Sequence, residues 1–261
     1  MKRALAKASS QRAHALMNGS TKNERSSKAE VEAVLASLKR LGTKHTRDEM
    51  LRYGIHTSKA FGVPVGAMQT LAKRLGRNHK LALALWKTGW YEARMVAAFV
   101  DQPERVTPAQ MDGWCRDFDN WGICDTVCFH LFDRTPHAFG KVAQWARSRD
   151  EFVKRGAFAL LACLALHDKG ANDDWFAESL PLVESAASDE RNFVKKGVSW
   201  ALRAIGRRSP ELNTSAVAVA QRLAASPEAA ARWIGKGALR ELKSFAVTRK
   251  LMHAAHNEYP K

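Results

Sequence analysis

A short phrase recurs along this chain: an aromatic residue followed three positions later by a basic one, inside a helical run. It reads Tyr91-Glu-Ala-Arg94, Phe152-Val-Lys-Arg155, Phe193-Val-Lys-Lys196 and Trp233-Ile-Gly-Lys236. The last three copies are 41 and 40 residues apart, the period of two-helix repeats that stack into a solenoid. A fifth copy, Trp121-Gly-Ile-Cys-Asp125, precedes Phe152 by 31 residues; it lacks the basic residue and carries a carboxylate one position later. Repeats of this kind cannot bury their apolar faces alone and must stack, so equivalent positions line up. Arg94, Arg155, Lys196 and Lys236 then form a ladder of positive charge with Asp125 set into it.

The helical reading extends along most of the chain. Val31, Val34, Leu35 and Leu38 give the first amphipathic pattern, which ends at Gly42. Thr107-Pro108, Thr135-Pro136, Ser209-Pro210 and Ser226-Pro227 each read as a helix start, with a hydroxyl cap before a proline that loses no needed donor. Gln110 after Thr107 adds a capping box. Period and caps together predict about 12 to 14 helices and no convincing strand. The expected architecture is an all-α, HEAT-like superhelix with a concave basic face. A compact two-domain helical protein is the alternative. Residues 1–27 read as a basic, flexible extension, and residues 28–261 as a single repeat domain.

Composition narrows the partner. The chain carries 42 basic and 26 acidic residues, a net charge of +16, which points to a polyanion and most economically to nucleic acid. Residues 1–28 hold seven of the basic residues against Glu24 alone, so the remaining chain is itself basic. That first segment has the composition of both an organellar transit peptide and a basic arm, and the arm is the simpler reading. No apolar run approaches the roughly 18 residues of a membrane span. Cys115, Cys124, Cys128 and Cys163 form no CxxC pair, which fits a reducing compartment and buried thiols packed as small hydrophobes. No metal-ligand cluster, phosphate loop or nucleophile–base constellation stands out, so neither metal nor cofactor is expected.

Helical spacing places Trp200 on the face of Lys196, and Trp121 on the face of Asp125. The stretches Phe118-Asp-Asn-Trp-Gly-Ile-Cys-Asp125, Glu151-Phe-Val-Lys-Arg155 and Phe193-Val-Lys-Lys-Gly-Val-Ser-Trp200-Ala-Leu-Arg203 resemble the AlkD-type DNA alkylation repair proteins, which are HEAT-like-repeat DNA glycosylases. The resemblance runs from about Ala29 to Leu242 and includes Arg52-Tyr53 and Phe61-Gly62-Val63. It implies an active cleft formed by Asp125, Trp121 and Trp200, and a DNA-backbone contact at Arg155. Lys196, Arg94, Lys236, Lys154, Lys195, Arg203 and Tyr53 are further DNA-binding candidates. The chain departs from the family at Asn120, where one branch has a second adjacent tryptophan, and at Val63-Pro64-Val65, which replaces a more polar loop.

The resemblance implies a monomeric, cytoplasmic glycosylase that removes cationic alkylated purines from duplex DNA. Two other readings stay open: a non-catalytic solenoid for damaged or branched DNA, and a repeat scaffold for acidic proteins.

Overall fold

The structure is a computed structural model describing residues 27–257 of the 261, with side chains described through Met252. The expected N-terminal extension lies almost wholly outside the described residues. The regular structure of those residues is helical, with no strand among them, and they divide into two compact units at Gln102/Pro103.

The first unit holds α1 (27–41), α2 (Lys44–Arg52), α3 (Val65–Leu75), α4 (His79–Lys87) and α5 (Tyr91–Val100). The first helix stops where the apolar period stops, just before Gly42. α5 is the packing centre, in contact with α3 and α4. It is buried along nearly its whole length, and the buried residues include Glu92. Glu92 accepts hydrogen bonds from the backbone amides of Phe61, Gly62 and Val63 at 2.7–3.2 Å. A buried carboxylate is tolerated when such donors surround it. Gly62 lies at a φ of 81°, a left-handed conformation that a side chain would strain. Glu92 thereby pins the segment that leads into α3, and Phe61 stacks on Trp90 with ring centroids 4.0 Å apart.

The second unit holds α6 (Pro108–Arg116), α7 (Trp121–His130), α8 (Ala138–Trp145), α9 (Glu151–His167), α10 (Asp173–Ser185), α11 (Asn192–Ile205), α12 (Pro210–Ala225), α13 (Ala229–Leu242) and α14 (Phe245–Asn257). Successive second helices touch: α7 packs on α9, α9 on α11, and α11 on α13. The first helices α8 and α12 lie against α9 and α13, and α10 lies against α11 and α12. This is the repeat arrangement that the 41- and 40-residue spacing requires.

α9 explains why the stack holds. Residues 157–165 are all buried to within about 1%, because α9 is flanked by α7, α8 and α11 together. A helix buried on every side must be apolar all round, and Ala157-Phe-Ala-Leu-Leu-Ala-Cys-Leu-Ala165 is. Phe132, Phe158 and Phe176 are fully buried, each contributing roughly 1.5–3 kcal/mol by leaving water. Gly235 lets α13 approach the backbone of α12, since a Cβ there would collide with Ala220 and Ala224.

Two of the four expected proline starts hold. Thr107 accepts from Gln110 N at 3.1 Å and Ser209 from Leu212 N at 3.3 Å, each ahead of a proline at the first turn. The other two are corrected. Thr135 closes a short 3-10 turn, its hydroxyl donating to Phe132 O at 2.8 Å, and α8 starts only at Ala138. Ser226 ends α12 and accepts from Glu228 N, with α13 starting at Ala229. A hydroxyl–proline pair serves a turn as well as a helix start, and the pair alone does not tell which.

Candidate functional site

Asn120 organises the first turn of α7. It is buried, its Oδ1 accepts from Ile123 N at 3.0 Å, and its Nδ2 donates to Asp119 Oδ1 at 2.6 Å. A tryptophan at this position could not cap the helix, so Asn120 is the residue that sets how α7 presents its face. Trp121 opens that helix and Asp125 follows one turn later; both are partly exposed.

Asp125 is gripped from the next repeat. Arg155, the fifth residue of α9, donates from Nε to Asp125 Oδ1 at 3.0 Å and from Nη2 to Oδ2 at 2.7 Å. Its Nη1 donates to Phe193 O in α11 at 2.7 Å. One guanidinium therefore joins α7, α9 and α11. Its side chain is only 7% exposed while that of Asp125 keeps 22%. Burial pushes the Asp125 carboxyl above its ordinary value, and the guanidinium opposes that shift. Burial works most strongly against the charge of Arg155, but Asp125 and the neighbouring Cys124 and Cys128 together raise the guanidinium's pKa. The result is a carboxylate fixed in orientation with an edge open to solvent.

Repeat-equivalent residues around this pair take different partners. Lys154 Nζ reaches Asp189 Oδ2 at 3.1 Å, and Arg191 binds the same carboxylate through Nε and Nη2 at 2.9 and 2.7 Å. The Arg191 hydrogen bonds first, with help from Lys154, lower the Asp189 pKa to about 2. One repeat on, Lys195 stands over the Trp233 ring at 5.2 Å. Arg203 pairs with Glu241 at 2.6 Å, tying α11 to α13. Lys196 and Lys236 are exposed, and Trp200 is partly exposed on α11. In the first unit Tyr53 is exposed and the Arg94 guanidinium lies 5.0 Å from the Trp86 ring centre.

The structure thus joins Asp125 to Arg155 and keeps Trp121 on the same helix face. Trp200 belongs to α11, which packs on the helix of Arg155. Sequence reasoning missed the roles of Asn120, Asp189 and Arg191. Asn120 carried a readable signal, a cap residue just ahead of an apolar helix; Asp189 and Arg191 carried none beyond their charge.

The four cysteines are buried and unpaired. Burial pushes the thiols of Cys115, Cys128 and Cys163 well up, which makes them poor nucleophiles. Among the described residues no group of three His, Cys, Asp or Glu side chains is placed to hold a metal ion. No described helix is long and apolar enough to cross a membrane.

Comparison with known proteins agrees with this architecture. One solved structure superposes with a TM-score of 0.67 at 23% identity, covering 73% of this chain and 81% of that one. It is described as a new family of proteins related to the HEAT-like repeat DNA glycosylases with affinity for branched DNA structures. A designed armadillo repeat protein matches at 14% identity over 69% of this chain and 93% of its own, with a TM-score of 0.32. No curated protein matches the chain. The model of the DNA alkylation repair enzyme family matches residues 34–242, well over half of the sequence. On that match, and with the HEAT-like helical repeat it accompanies, this chain belongs to the DNA alkylation repair enzyme family.

Proposed function

We propose that the protein is a DNA glycosylase that hydrolyses the N-glycosidic bond of cationic N3- and N7-alkylated purines in duplex DNA. The observation that supports this most is the partly exposed Asp125 carboxylate, held in one orientation by Arg155 and one turn from Trp121. An alkylated purine already carries positive charge, so it leaves without being protonated. The remaining task is to stabilise the oxocarbenium-like sugar and direct a water to its C1′. A fixed carboxylate of restricted solvation does both. Trp121 and Trp200 would pack against the sugar and the cationic base, whose charge is attracted to ring faces by about 0.5–2 kcal/mol.

Arg155 takes a different role here from the backbone clamp that the resemblance implies. Its Nε, Nη1 and Nη2 all donate to protein acceptors, so it acts by positioning Asp125. Lys196 and Lys236 are the cations of the ladder open to a phosphate. The proposed mechanism draws on no metal, and a monomer suffices for it.

A second reading is favoured by the same pair. A carboxylate already paired with a guanidinium offers less charge to a reaction, which suits a binder of damaged or branched DNA that performs no chemistry. Incubation with methylated duplex DNA, followed by analysis of released bases and abasic sites, decides between them. Release of 3-methyladenine or 7-methylguanine supports the glycosylase; tight binding with no release supports the binder.

A further inference from the structure

Trp233 is left over by the proposed chemistry. It stands at the repeat position held by Phe152 and Phe193, yet it is 49% exposed while those two rings pack against each other at 5.3 Å. Its ring contact is with a cation. Lys195 reaches over its ring from α11 at 5.2 Å. Lys236, on its own helix, and Lys196, on the adjoining one, are both exposed. The equivalent of Lys195 one repeat earlier, Lys154, reaches an acid instead. At this end of the array, then, an indole replaces the acid, and among the described residues no carboxylate pairs with Lys195, Lys196 or Lys236 as Asp125 does with Arg155 or Asp189 with Lys154.

We infer that Trp233, with Lys195, Lys196 and Lys236, is a stacking platform for an unpaired nucleobase in a single-stranded stretch of DNA. An exposed aromatic ring with one cation over it and two more on the same pair of helices meets the two needs of such a strand at once. The ring face takes a base regardless of sequence, and the ammonium groups take the flanking phosphates. An intact duplex hides its base faces and can use only the ammonium groups. The net charge of +16 makes a polyanion the partner that complements this patch. This inference rests on the reading of the protein as DNA-binding, and goes beyond it in naming where unpaired bases are held.

The test uses the full chain with a fluorescein-labelled oligo-dT strand and, separately, a blunt duplex with no unpaired bases. Trp233→Ala should weaken oligo-dT binding about ten-fold, within the range expected for losing one base stack, and leave duplex affinity unchanged. Trp233→Phe should restore most of the loss, because a ring remains. Thermal unfolding identifies any variant that fails to fold, and Lys195→Ala, which leaves the indole in place, should reduce the salt dependence of oligo-dT binding. Equal oligo-dT affinity for Trp233→Ala and the parent overturns the platform while leaving duplex binding intact. So does a parent that binds duplex but not oligo-dT. A parent that binds neither overturns the DNA-binding reading itself.

Discussion

Arg155 holds Asp125 from 30 residues away, closing both carboxylate oxygens with hydrogen bonds of 3.0 and 2.7 Å while its third nitrogen holds Phe193 O. It fixes the carboxylate's orientation and couples the site to the packing of three helices.

Asp125→Asn should reduce release of 7-methylguanine from methylated duplex by about 100-fold or more, the scale of losing one electrostatic contact at a transition state. DNA affinity should stay the same or rise slightly, since a negative charge near phosphate is removed. Parental release rates in this variant would exclude Asp125 from the chemistry.

Arg155→Ala and Lys196→Ala should behave differently. The first removes the partner of a largely buried carboxylate and should lower folding stability by about 3–5 kcal/mol in denaturant unfolding. It should leave the slope of log K against log salt unchanged. The second removes an exposed cation and should reduce that slope by about one with little effect on stability. A reduced slope for Arg155→Ala would mean that the arginine swings out to meet DNA.

Because burial raises the Asp125 pKa, the protonated and inactive form persists to higher pH than for an ordinary aspartate. Base release should therefore fall on acidification, with the acid limb of the kcat profile above about 3.9. A limb at or below that value would show that Arg155 dominates the environment of the carboxyl.

Asp189 titrates in the opposite sense. Its folded pKa is depressed to about 2 from the ordinary carboxylate value of about 3.9, so its contribution to stability is present above the higher value and disappears as pH falls toward the lower. Asp189→Asn should be less stable than the parent at pH 6 and nearly equal to it near pH 2. A constant difference across that range would assign the loss to packing rather than to charge.

Trp200→Ala should impair excision more than folding, because the residue is only partly buried. Truncation of a core tryptophan costs about 3–5 kcal/mol; a loss that large on unfolding would place Trp200 in the core and remove it from the site. Uracil and hypoxanthine should stay uncut, since the proposed mechanism supplies no proton to a neutral leaving base.

The sequence by itself determined the repeat. Aromatic–basic phrases at 41 and 40 residues, apolar periods ended by Gly42, and caps at Thr107 and Ser209 are local signals, and local signals set where helices lie and which faces must be covered. They also placed Asp125 on the face of Trp121, because residues four apart share a face whatever surrounds them. What the tertiary structure alone decided is how the charges are spent. The phrase Phe-Val-Lys-Arg155 and the phrase Phe-Val-Lys-Lys196 look alike in one dimension, yet Arg155 is buried against Asp125 and Lys196 is exposed. Lys154 meets Asp189 where Lys195 meets Trp233. Each of these partners lies 30 or more residues away in the chain, Asp125 and Trp233 on a different helix and Asp189 in the loop ahead of α11. A cation's partner depends on which side chains the packed helices bring within a few ångströms of it, and that distance is a property of the stack.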